Sequence, residues 1–103
     1  MATGNLAVRY LRDHNESLKE YEGFCGELVD AIIHWMGEQR VRIMYLQDDG
    51  DGLGPGGCWS YHMVPVIDGH VHDAWFPDYV LPPKEYIRVA FPGQNPEASF
   101  PAE

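Results

Sequence analysis

The sequence predicts a single α+β domain in which N-terminal helices pack on a small antiparallel β-sheet. Three observations carry that expectation. Apolar residues recur at helical spacing over the first third of the chain, most clearly as Cys25, Leu28, Val29, Ile32, Ile33 and Met36. From residue 40 the pattern changes to short β-type runs. Between two of those runs stands Asp68-Gly69, a strong signal for a two-residue hairpin turn. Helices first and strands afterwards is the segregated order of α+β domains.

Taken in order, residues 4–21 place Leu6, Tyr10, Leu11, His14, Leu18 and Tyr21 near one stripe and predict an amphipathic helix. A second helix is expected over 24–37. Glu27 and Asp30 lie near its start, where carboxylates suit the positive end of the dipole, and Gly37 stops it. Residues 40–47 read as a strand in which Val41, Ile43 and Tyr45 alternate with Arg42, Met44 and Leu46. Both sets contain apolar side chains, so cover is expected on both faces. Residues 48–57, rich in Gly and Asp, predict a flexible, solvated loop that could act as a lid.

Residues 58–76 then form the hairpin. With the turn at Asp68-Gly69, Ile67 stands opposite His70, Val64 opposite Asp73, and His62 opposite Trp75. His62, Val64 and Val66 share a face with Val71, Asp73 and Trp75, while His70 and His72 fall on the other. Pro65 cannot donate to a ladder and needs an outward-facing backbone position or a bulge. Pro82-Pro83 opens a short helix that Pro92-Gly93 ends. Residues 92–103 are expected to be an extended tail, ordered where Phe100 docks. No repeat or linker divides residues 1–103, which read as one domain.

Composition narrows the function classes. A chain of 103 residues, 45% hydrophobic and 13% aromatic, can bury a core without a metal or disulfide staple. Sixteen acidic residues against seven basic give a formal charge of −9, which speaks against nucleic-acid or anionic-membrane partners. No apolar run approaches the roughly 20 residues that span a bilayer, and no charged-then-apolar leader pattern opens the chain. A soluble, cytoplasmic protein is the expectation. Two cysteines are too few for a disulfide scaffold, although a single Cys25–Cys58 bridge stays open.

The chemistry lies in the order Cys25, His62, Asp73. A thiol at a helix start, a strand histidine and an aspartate able to orient it form a nucleophile–base–orienter set. A free thiol, with a pKa of roughly 8.5, is mostly protonated at neutral pH, but a helix N-terminus and an imidazolium both favour the thiolate. His62 would hold that ion pair and then deliver a proton to a leaving amine, while Asp73 fixes the ring tautomer. Backbone N–H groups at the helix start, that of Cys25 included, could stabilise an oxyanion. Each residue also has a plainer reading, because cysteine on an apolar helix stripe is commonly core. Trp59 and Trp75 bracket the proposed site, either lining an apolar channel or stabilising the hairpin as cross-strand aromatics.

Cysteine at a helix start, the strand Trp59-Ser60-Tyr61-His62-Met63-Val64-Pro65-Val66 and Asp73 on the next strand together resemble the papain-like fold. Within it the likeness is to the transglutaminase-like branch and its protein-glutaminase (protein deamidase) type. The resemblance covers about Cys25 to Asp73. It implies a minimal papain-like domain with Cys25 as nucleophile, His62 as base and Asp73 as orienting acid. The implied reaction is acyl transfer from an amide through a thioester, with a glutamine-like side chain of a protein or peptide as substrate and Trp59 and Trp75 as its walls. Neither metal nor cofactor is implied. Papain-type proteases carry a Gln or Asn shortly upstream of the nucleophile. Here position 19 is Lys19 and the nearest such residue is Asn15.

Other constellations compete. A binding or inhibitor module on the same fold, without turnover, suits the brevity of the chain. His70-Val71-His72 puts two imidazoles on one strand face, compatible with a metal pair if Cys58 or Asp68 joined them, or with two solvent-facing histidines. Asp48-Asp49-Gly50-Asp51-Gly52 fails as a calcium loop, since the twelfth position is Trp59 or Ser60 instead of Glu. Gly52, Gly54, Gly56 and Gly57 lack the Lys-Ser/Thr and the following helix of a phosphate loop. Cys58, without a helix dipole, ranks second as a nucleophile.

Overall fold

The computed structural model describes residues 4–100, apart from the side chain of Pro55. Helix α1 (Leu6–Asp13) begins at Asn5, whose side-chain oxygen accepts from the N–H groups of Ala7 and Val8. It does not run on to residue 21 as the apolar stripe suggested. His14 ends it, with Nδ1–H donating to the Tyr10 carbonyl, and Asn15 turns the chain at a positive φ of 55°. A separate 3-10 turn, Leu18–Tyr21, starts afresh because Ser17 and Glu20 form a capping box. The stripe thus belongs to two short pieces, and the local caps override its period.

Helix α2 (Cys25–Met36) and strand β1 (Val41–Gln47) match the expected elements closely. Strand β2 (Tyr61–Ile67), strand β3 (His70–His72), strand β4 (Val80–Leu81) and strand β5 (Glu97–Ser99) complete an antiparallel sheet of order β4-β3-β2-β1-β5. Helix α3 (Pro83–Ala90) follows β4 directly. The fold class is therefore α+β, with three α-helices and a five-stranded sheet among the described residues. Among the described residues no helix is long and apolar enough to cross a membrane.

The turn at Asp68-Gly69 forms as expected, with both residues at positive φ and Ile67 paired to His70. The longer hairpin does not. Pairing of β2 with β3 is confined to Val66–Val71 and Ile67–His70, so neither the Val64–Asp73 nor the His62–Trp75 pair exists. Two causes converge. Antiparallel pairs alternate, so the next pair to exchange hydrogen bonds after Ile67–His70 is Pro65–His72, and Pro65 has no N–H to give. Asp73 then turns the chain, its Oδ1 accepting from Trp75 N–H at 2.9 Å and its carbonyl from Phe76 N–H. His72 pairs instead with Val80 of β4.

Alternation along the sheet sorts the core into two layers, as the mixed pattern of β1 predicted. Val41 and Ile67 pack with Ala7, Leu11, Leu28 and Ile32 beneath α1 and α2. Met44, Leu46, Val64, Val66 and Val71 pack with Tyr86, Ala90 and Phe91 of α3 on the opposite face. The expected tail also needs correcting: residues 97–99 pair with Tyr45, Leu46 and Gln47 as an edge strand, and Phe100 lies beneath the Arg42 guanidinium. Residues 101–103 of that tail lie outside the described residues.

Candidate active site

Cys25 opens α2, where the first N–H groups have no intrahelical acceptor. The helix approaches β2 closely at this end: a Cβ on Gly26 would stand 3.2 Å from the Met63 sulfur. His62 belongs to the α3-facing side of β2, with Val64 and Val66, yet it lies near the strand end where α2 begins. The thiol meets the imidazole there. The His62 ring and the backbone of Met63 and Gly26 act on the Cys25 sulfur and favour its charged form.

On its other side the imidazole is held by Asp73. His62 Nε2–H donates to Asp73 Oδ2 at 2.9 Å, and the pair is 2% and 1% exposed. A carboxylate only accepts, so this contact fixes the proton on Nε2 and leaves Nδ1 to face the thiol. Asp73 is in turn saturated. Its Oδ2 also accepts from the Tyr86 hydroxyl at 2.5 Å, its Oδ1 from Trp75 N–H, and its carbonyl from Asn5 Nδ2 at 2.9 Å. Tyr86 is fully buried on α3, and Asn5 is the cap of α1. Neither residue is marked by the sequence as part of the site. Both come from elements distant in the chain, and a tyrosine on an apolar helix face gives no local sign of its partner.

The electrostatics follow from these contacts. Burial alone would lower the His62 pKa, but the Asp73 charge and hydrogen bond, with a smaller effect of Cys25, raise it to about 9. Burial likewise opposes a charged Cys25, yet hydrogen bonds from His62 and from the Met63 and Gly26 backbone outweigh it and lower the thiol pKa. Both shifts run in the direction of a thiolate–imidazolium pair. Trp59 stacks on the His62 ring at 4.4 Å and 16°, and Trp75 meets it edge-on at 5.3 Å. The indole face of Trp59 favours the charged form of the ring.

Trp59 is seated by the glycine-rich segment, which is not the loose loop expected. Asp48 accepts from Gly52 N–H, Leu53 bridges to Trp59, and the Gln94 amide exchanges hydrogen bonds with both backbone groups of Gly54. Cys58 lies outside β2, just past a 3-10 turn at Pro55–Gly57, and is an exposed free thiol. A cavity of about 230 Å³ is lined by Cys25, His62, Trp59, Trp75, Cys58 and Glu22, among others.

The histidines of β3 part company. His70 is exposed, whereas His72 is only 4% exposed and its Nδ1 accepts from Leu6 N–H at 3.0 Å. The expectation of two solvent-facing histidines therefore fails for His72, whose ring serves the start of α1. No group of three or more His, Cys, Asp or Glu among the described residues is arranged to hold a metal ion.

No protein-family model matches the chain, and neither curated proteins nor solved structures give a significant match.

Proposed function

We propose that this protein is a cysteine-dependent amide hydrolase or acyl transferase of papain-like type, closest in chemistry to transglutaminases and protein deamidases. The observation that carries the reading is the buried series Cys25–His62–Asp73, the first two in the cavity wall and Asp73 behind them, with Nε2 committed to Asp73 and Nδ1 left for the thiol. The Cys25 thiolate attacks an amide carbonyl, and N–H groups at the start of α2 receive the developing oxyanion. His62 gives its proton to the departing nitrogen, leaving a thioester and ammonia. The neutral imidazole then takes a proton from water, or from an amine, as that nucleophile attacks the thioester carbonyl. Collapse releases the carboxylic acid or the new amide and returns the proton-shared thiol.

The cavity suits a side chain better than a whole ligand. About 230 Å³ lies below the roughly 300–1,000 Å³ of sites that engulf a small molecule. A glutamine-like carboxamide on a protein or peptide can enter this cavity against Trp59 and Trp75, which meet edge to face in its wall, while the rest of the substrate stays outside.

Ammonia release from a glutamine-bearing peptide tests the reaction, with hydroxylamine present as a competing amine to trap the thioester as a hydroxamate. Wild-type protein yields both products. Cys25→Ser or His62→Ala lowers the rate by about a thousandfold or more. Independently of any substrate, iodoacetamide should modify Cys25 faster in folded than in unfolded protein near neutral pH, and His62→Ala should remove that advantage. Equal labelling rates in both states would reduce Cys25 to an ordinary packed thiol and overturn the reading.

A further inference from the structure

We infer that Tyr86 is a positioning residue of this site: its hydroxyl holds the Asp73 carboxylate that orients His62, and so sets the acid limit of the pH range in which Cys25 is reactive. This inference rests on the catalytic reading above and adds a fourth member to it. Tyr86 Oη–H and His62 Nε2–H donate to the same oxygen of Asp73, at 2.5 and 2.9 Å, from opposite elements of the fold. With Trp75 N–H on Oδ1, the carboxylate receives three donors in a site where it is 1% exposed and Tyr86 is 0% exposed.

A buried carboxylate stays charged only where donors replace the water it has lost. Removing the Tyr86 hydroxyl takes away one of the two side-chain donors and admits no solvent in its place. A carboxylate released on that side is no longer fixed against the ring, its hold on the imidazolium weakens, and the Cys25 thiol keeps its proton to higher pH. The charges acting on His62 are those of Asp73 and of Cys25 from α2, and the charge acting on Tyr86 is that of Asp73. Burial and Asp73 together push the Tyr86 hydroxyl far above its ordinary pKa, so it remains a donor throughout the working range.

The test is the rate of Cys25 alkylation by iodoacetamide as a function of pH, read by mass spectrometry. Tyr86→Phe should move the acid limb upward by about one pH unit, making labelling up to about tenfold slower at roughly pH 6 and unchanged near pH 9. Ala90→Gly loosens the same helix while leaving the hydroxyl, and should leave the midpoint in place. If Tyr86→Phe does not fold, 3-fluorotyrosine introduced at position 86, a more acidic donor, should move the limb downward. An unshifted midpoint, or shifts opposite in sign to these, overturns the inference. Loss of the folded-state advantage in wild-type protein would instead overturn the catalytic reading itself.

Discussion

Two buried histidines separated by ten residues are driven to opposite charge states by what faces them. His62 faces a carboxylate and a thiol, and its pKa rises to about 9. His72 faces the Leu6 N–H, which needs an unprotonated Nδ1, and burial lowers its pKa from 6.5 to about 4. The unfolded chain takes up a proton at His72 near pH 6.5 and the folded chain only near pH 4, so acidification through that window favours unfolding. His72→Asn places an amide oxygen where Nδ1 stood and cannot titrate. Its chemical stability should therefore fall less than that of the wild type between about pH 7 and about pH 4.5, by about 1–2 kcal/mol. Urea unfolding of both proteins at the two pH values checks this. Equal losses would mean that His72 is not the proton acceptor lost on folding.

At the scale of elements, the site depends on a wound segment that carries no catalytic atom. Gly54 has a φ of +74°, and a Cβ there would stand 2.6 Å from the Trp59 ring. Gly54→Ala should strain the turn and push Trp59 away from His62, destabilising the fold by about 1–3 kcal/mol. Thermal unfolding measures the loss, and near-ultraviolet circular dichroism should show the altered tryptophan environment. An unchanged melting temperature and spectrum would show that the contact is dispensable. Such a segment is hard to read in sequence, because glycines mark both loose loops and tightly wound ones. The partners that distinguish them here, above all Gln94, lie far along the chain. The apolar period of α2, the two-sided pattern of β1 and the Asp68-Gly69 turn were legible because each is specified by neighbouring residues. Strands β4 and β5 were not, since two or three residues cannot display an alternation and all three residues of β5 are exposed. The convergence of Cys25, His62 and Asp73 was legible from residue type and order, although Asp73 arrives through a turn and not through the ladder. Tyr86 and Asn5, which hold Asp73, are tertiary additions without a local signature.

Across the whole molecule, the proposed ion pair makes a prediction about proton balance that activity measurements cannot supply. Between pH 6.5 and 9 the unfolded chain keeps one proton on Cys25 and none on His62, since their ordinary values are 9.0 and 6.5. A folded thiolate–imidazolium pair also holds one proton, on the ring instead of the sulfur. The two states bind equally, so this pair gives wild-type stability no slope across the window. Cys25→Ala removes the compensation. His62 keeps the larger raising influence of Asp73, so the folded variant binds a proton that its unfolded chain lacks. That contribution is complete below pH 6.5 and is lost as pH rises toward the raised value. The variant should therefore lose about 1–3 kcal/mol of stability from roughly pH 6.5 to roughly pH 9, while the wild type changes little. Urea unfolding at half-unit pH intervals compares the two curves directly. Parallel curves would mean that the fold holds a neutral thiol beside a neutral imidazole, and the nucleophile would then have to be generated only when substrate binds.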